Sequence, residues 1–229
     1  MPQISTCCKC IDETIGGGIN PETIMLVYGE PETGKSTFAL QCAVACAMQK
    51  QKVLYVDCDN TFSAKRLSQL AGECFDEVAE RIVLVKPKDF REQTTLIEHI
   101  GDYAVNVGLI IIDTFTSLYS AKAAEFPKAF STNRELNRHL AILAQTVKTK
   151  KIPLLMTSQV RSVITEPAES VRPVATRVLK FWADTILFLK PADHPQTIKA
   201  TIEKAPGITI PSLCYIQIGE GGIKDTQTR

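Results

Sequence analysis

The sequence has almost no net charge: 26 lysines and arginines against 25 aspartates and glutamates leave +1 over 229 residues. This excludes a coat protein that holds nucleic acid by bulk positive charge, and equally an acidic tail protein, so any contact with a polyanion has to come from a local patch. No apolar run approaches the roughly 20 residues that cross a bilayer. The opening stretch MPQISTCCKCIDETIGGG has no apolar signal-peptide core. These absences predict a soluble, cytoplasmic protein with no membrane contact. Internal repeats, low-complexity tracts and composition breaks are also missing, so residues 1–229 are expected to form one domain with one buried core. Eight cysteines are present, yet a chain of this length needs no disulfide scaffold. The cluster CCKC (Cys7, Cys8, Cys10) lacks paired C-x2-C spacing and has no histidine nearby. Reduced structural thiols are the expectation.

What is present is an alternation. Short runs rich in Ile, Val and Leu recur at 23–29, 52–57, 81–86, 108–113, 152–159 and 184–190. They do not alternate strictly, as befits strands buried on both faces of a parallel sheet. Helical patterns lie between several of them, at 35–50, 89–106 and 131–150. The order predicts an α/β fold: a mostly parallel twisted sheet flanked by helices. After residue 190 the pattern changes to TIKATIEKA and SLCYIQIG, which predicts a short antiparallel extension.

The segment GEPETGKS, Gly29 to Ser36, satisfies G-x-x-x-x-G-K-[ST] directly after an expected strand and before an expected helix. That context points to a phosphate-binding loop for ATP with Mg2+. Gly29 and Gly34 permit the tight backbone through Glu30, Pro31, Glu32 and Thr33 that turns the loop's available N–H groups toward phosphate oxygens. Lys35 is expected at the β/γ-phosphates and the Ser36 hydroxyl in the magnesium shell, with Thr37 on the same first turn of helix. GLIIID ends in Asp113, a carboxylate placed to hold magnesium through its water shell. Gln159 ends LLMTSQ, where a neutral amide can sense the γ-phosphate. YVDCDNTF adds Asp57 and Asp59 just beyond another strand.

Taken with ISTCCKCIDETIGGGI, NRELNRHL, LKFWADTILFL and GGIKD, these motifs resemble the RecA-like recombinase ATPases, and among them the archaeal RadB group. The resemblance runs through nearly the whole chain. It implies a RecA-like ATPase core, with the Gln159 strand between the two phosphate-site strands. It also implies DNA binding, a strand-exchange recombinase of the RadA type as partner, and roles in DNA repair and homologous recombination; oligomerisation stays open. The N-terminal helical domain of full-length RadA proteins has no counterpart in the sequence. The family's F-x-x-A docking motif precedes the core, whereas FPKA (126–129) follows the Asp113 strand. Where the family has D-x-E-G-x-F, this chain has Asp59 in place of the glutamate that polarises the attacking water. Aspartate is one methylene shorter, and a base has to come within about 3 Å of its proton. Asp59 and Gln159 are therefore the expected catalytic residues, with Asp59 a poor base and hydrolysis slow. Asp57 is expected to support the strand end or the magnesium shell.

Residues 148–190 carry eight basic side chains against three acids. Within them, 160–177 reads as a loop interrupted by Pro167 and Pro173, at the position of the family's second DNA-binding loop. It contains neither glycine nor an aromatic residue to stack on a base, so Arg161, Arg172 and Arg177 are expected to hold single-stranded DNA by its phosphates. Arg134 and Arg138, four apart on one helix, line an interface or pair with acids such as Glu135. Trp182, in an apolar helical stretch with Leu179 and Ile186, is expected in the core. Three functions fit this sequence. The first is an ATP-dependent recombination accessory protein with weak ATPase activity. The second is a strand-exchange enzyme, and the third a P-loop kinase for small molecules, which the full-length resemblance disfavours.

Overall fold

Each of the six apolar runs becomes a parallel strand in the computed structural model, whose described residues are 2–125, 130–159, 174–194 and 196–226. The strands are β1 (Ile24–Gly29), β2 (Lys52–Asp57), β3 (Ile82–Val85), β4 (Val107–Asp113), β5 (Leu154–Gln159) and β6 (Thr185–Pro191). Three antiparallel strands follow, β7 (Thr197–Lys204), β8 (Ser212–Gly219) and β9 (Gly222–Asp225). All belong to one nine-stranded sheet of order β3-β2-β4-β5-β1-β6-β7-β8-β9. The expected antiparallel extension is thus a continuation of the parallel sheet.

Along β1, β2, β4, β5 and β6 side chains alternate between two cores, one on each face, which is why these strands read as continuous apolar runs. At the sheet edge β3 leaves Val83 and Leu84 exposed and departs from that expectation. Met25, Val27, Leu109 and Ile111 point into one core. Leu26, Tyr28, Ile110 and Ile112 point into the other. The first core is covered by α1 (Lys9–Ile15), α2 (Lys35–Met48), α3 (Ala64–Ala71) and α4 (Phe75–Ala79). The second is covered by α5 (Phe90–Glu98), α6 (Ile100–Tyr103), α7 (Ser117–Glu125), α8 (Phe130–Lys150) and α9 (Val174–Trp182). The Asp225 carboxylate accepts from the Lys9 and Cys10 amides at 2.8 and 3.2 Å, so the last strand caps the first helix. All eight cysteines are free; Cys42 and Cys46 lie buried along α2.

Three expectations need correcting. The single helix expected at 89–106 is two, because the backbone leaves helical geometry at His99 (φ −105°, ψ 11°) and again at Asn106 (φ 57°). The segment expected as a loop to residue 177 is helical from Val174, since Ala175 and Leu179, four apart, both find the core. Ile186 belongs to β6 and not to a helix with Trp182, which is half-buried against the second core. Helices α3 and α4 escaped the sequence reading because each buries a single side chain, Leu67 and Val78, too little to register as periodicity. Among the described residues no helix is long and apolar enough to cross a membrane.

Candidate functional site

The carboxyl ends of β1, β2, β4 and β5 meet at one edge of the sheet, where open α/β folds place their ligands. Gly29 ends β1 between β5 and β6, and a Cβ there would lie 2.0 Å from the Leu189 carbonyl oxygen. Only glycine lets the loop leave the sheet at this point. Gly34 is left-handed (φ 83°), and its Cβ would meet the Ile218 side chain of β8 at 2.5 Å. Between them Glu32 also takes a positive φ of 61° and is exposed with Pro31, while Glu30 is half-buried. The buried Thr33 hydroxyl donates to the Glu30 carbonyl at 2.9 Å.

Lys35, 9% exposed, opens α2 and donates its ammonium to that same Glu30 carbonyl at 2.5 Å. Burial pushes the lysine below its ordinary pKa, against the opposing pull of Asp113, Asp59 and Glu30. A desolvated ammonium held by a backbone carbonyl and, at 3.5 Å, by the Thr33 hydroxyl gains by exchanging these neutral partners for an anion. Ser36 and Thr37, half-buried, follow on the first turn, where helix amides have no internal partner. Loop, lysine and helix end form an anion cradle.

Asp113 ends β4 beside it, 1% exposed. Its carboxylate accepts from the Tyr55 hydroxyl of β2 at 2.8 Å and from the Thr157 hydroxyl of β5. Burial and the adjacent carboxylate push the Tyr55 phenol well above its ordinary pKa, so it remains a donor. Two neutral donors from the flanking strands orient Asp113 without cancelling its charge. Asp57 stands opposite Asp113 in register at the end of β2. Its oxygens accept from the amides of Thr61 and Phe62 at 3.0 and 2.9 Å, and Lys86 lies 3.4 Å away. Asp57 therefore supports the strand end, the first of its two expected roles. The loop it pins carries Asp59 at an exposed tip, close enough to act on the Lys35 charge.

Gln159 ends β5, which runs between β4 and β1, and it is paired in register with Gly29. The amide is exposed at the edge of the cradle. Sequence-identified Lys35, Ser36, Asp113, Asp59 and Gln159 thus converge on one rim. Arg177 is exposed on α9, whereas Arg161, Arg172 and FPKA (126–129) lie outside the described residues. Arg138 is paired with Glu98 and with Glu135, leaving the paired alternative for that residue. Sequence reasoning missed Tyr55 and Thr157. Both stand two residues before a polar strand end, Asp57 and Gln159, so a period of two puts them on the same face. A hydroxyl inside an otherwise apolar run was the available signal.

The family model described as Rad51 matches residues 1–226. This chain belongs to the Rad51 family. It is 32% identical over 99% of its length to the DNA repair and recombination protein RadB of Thermococcus onnurineus, of which 99% is covered. It is 29% identical to RadB of Methanobrevibacter smithii, over 93% of this chain and 92% of that one. A crystal structure of the RadB recombinase is similar with a TM-score of 0.81 and 30% identity, covering 98% of this chain and all of that one. A Rad51-family core accounts for the mostly parallel sheet with antiparallel C-terminal strands. The residues at its rim also fit a nucleotide polyphosphate with a hard divalent cation. Lys35 and the α2 amides match phosphate oxygens, and Asp113 with the Ser36 hydroxyl offers the oxygen donors such a cation takes. Among the described residues no cluster of three or more His, Cys, Asp or Glu side chains stands ready for a metal by itself.

Proposed function

We propose that this chain is an ATP-binding accessory protein of DNA repair and homologous recombination, with weak ATPase activity, that binds DNA and modulates a strand-exchange recombinase of the RadA type in the cytoplasm. The observation that carries the reading is the convergence of Lys35, Asp113, Gln159 and Asp59 on the ends of four strands of one sheet. Residues 29–37 bind the phosphates, with the Lys35 ammonium leaving the Glu30 carbonyl for the β/γ-phosphates. Asp113, oriented by Tyr55 and Thr157, and the Ser36 hydroxyl are the groups that would hold Mg2+. The chemistry such a cation would supply, when bound, is neutralisation of charge on the phosphate oxygens.

Asp59 is the group that accepts the proton of the attacking water. It is exposed and short, at the tip of a loop fixed at its base by Asp57. Misplacing a base by about 1 Å costs on the order of a hundredfold in rate, so hydrolysis is slow and the ATP state persists. Gln159 donates to the γ-phosphate and stands at the start of the 160–173 segment. ATP then acts as a conformational ligand, able to shift an equilibrium only by the difference in its affinity for two states of the protein. Arg161, Arg172 and Arg177 bind single-stranded DNA through its phosphates.

The test is steady-state phosphate release from MgATP with and without single-stranded DNA, with Lys35→Ala as the blank. A rate barely above the blank and indifferent to DNA is expected. A robust rate that rises with DNA would move the chain to the strand-exchange class.

A further inference from the structure

Helix α9 has two unlike sides. On its inner side Lys180 donates to the Tyr28 hydroxyl and to Glu203, each at 2.5 Å, while the Tyr28 hydroxyl donates to Glu203 at 2.7 Å. Leu179 is fully buried one residue earlier. These contacts fix the helix to β1 and β7. On its outer side Phe181 is 78% exposed, the highest exposure among the large apolar side chains described. Arg177, also exposed, stands four residues before it and so on the same face.

The ring of Trp182 meets Phe181 edge-on with centroids 5.8 Å apart, and its indole donates to Asn137 of α8 at 3.4 Å. One turn before Asn137 on α8 is exposed Arg134. Arg138 is taken up by Glu98 and Glu135, but Arg134 and Arg177 have no ion pair among the described residues. The exposed ring thus shares a face of α9 with Arg177, and the neighbouring α8 carries Arg134; α9 comes directly after the 160–173 segment.

We propose that this outer face, Phe181 with Arg177 and Arg134, is a contact surface for single-stranded nucleic acid, Phe181 stacking on a base and the arginines meeting the phosphates. The inference rests on the DNA-binding reading above and supplies the stacking group that 160–177 itself lacks. The two charges on the face that lack an ion pair among the described residues are both cationic, which favours a polyanion. A ring without hydrogen-bonding atoms suits a base of any identity, since every base has a π-face. The inner contacts hold the helix already, so little freedom is lost when the strand docks.

Trp182 is the sole tryptophan of the chain, so its emission reports on this face alone. The experiment titrates an oligothymidylate into the full chain, following Trp182 fluorescence and, separately, anisotropy of a labelled oligonucleotide. Saturable quenching is expected for the parent. Phe181→Ala is expected to bind roughly tenfold more weakly, Phe181→Tyr to restore affinity, and Arg177→Ala to flatten the salt slope. Phe181 supports no part of the core, so these variants fold as the parent does. Unchanged anisotropy affinity in Phe181→Ala would overturn this surface and leave DNA binding elsewhere intact. Absence of binding by the parent would overturn the DNA-binding reading itself. Loss of binding to a RadA-type recombinase with DNA affinity unchanged would make the face a protein-docking surface instead.

Discussion

Two aspartates at neighbouring strand ends are treated in opposite ways. Asp113 is buried and held by hydroxyls from the strands on either side, Tyr55 and Thr157. Asp59, beyond the next strand, stands exposed on a loop held through its neighbours, by Asp57, by the Cys58 amide on the Asp113 carbonyl and by Lys86 on Asn60, with no hydrogen bond to its own carboxylate among the described residues. Pre-organisation is spent on the group proposed to hold a cation, while the group proposed to activate water is positioned only through its backbone. An enzyme selected for rapid turnover needs both carboxylates held to within fractions of an ångström. A protein that uses ATP as a bound signal needs only the first. The contrast between these regions is what supports the accessory reading over the strand-exchange one.

The contrast is broken most severely at Asp113. Asp113→Asn keeps both hydroxyl contacts sterically but removes the charge, and Mg2+-dependent nucleotide affinity is expected to fall by about 10- to 100-fold. Calorimetric titration of MgATP checks this, and affinity within twofold of the parent would remove Asp113 from the cation site. A smaller effect is expected at Tyr55. Tyr55→Phe strips one of the two side-chain donors from a buried carboxylate, costing about 1–2 kcal/mol of unfolding free energy. Denaturant unfolding measures it, and an unchanged midpoint would show that the hydroxyl contributes nothing to holding Asp113.

Much of this arrangement was legible in the sequence because it rests on local rules. GEPETGKS between a strand and a helix places the cradle, and apolar runs ending in Asp113 and Gln159 place the rim. What remained hidden depends on contacts between distant segments. Only the register of β2, β4 and β5 shows that Tyr55 and Thr157 serve Asp113. The support that Asp57 gives its strand end is a local exception, made by amides four and five residues later. Helix α9 began inside an expected loop because Ala175 and Leu179 bury on a sheet that a local pattern does not display. Phe181 read as part of an apolar stretch, and only the packing of its neighbours Leu179 and Lys180 turns it outward.

The central claim, that the short carboxylate at position 59 limits hydrolysis, is tested most directly by comparing single-turnover phosphate release in the parent, Asp59→Asn and Asp59→Glu. Lengthening the side chain by one methylene at an exposed loop tip leaves the fold untouched and moves the base toward its water. The account predicts that Asp59→Glu is faster than the parent by on the order of tenfold or more, with Asp59→Asn slower. Equal rates in all three proteins would contradict it, placing the base on another residue.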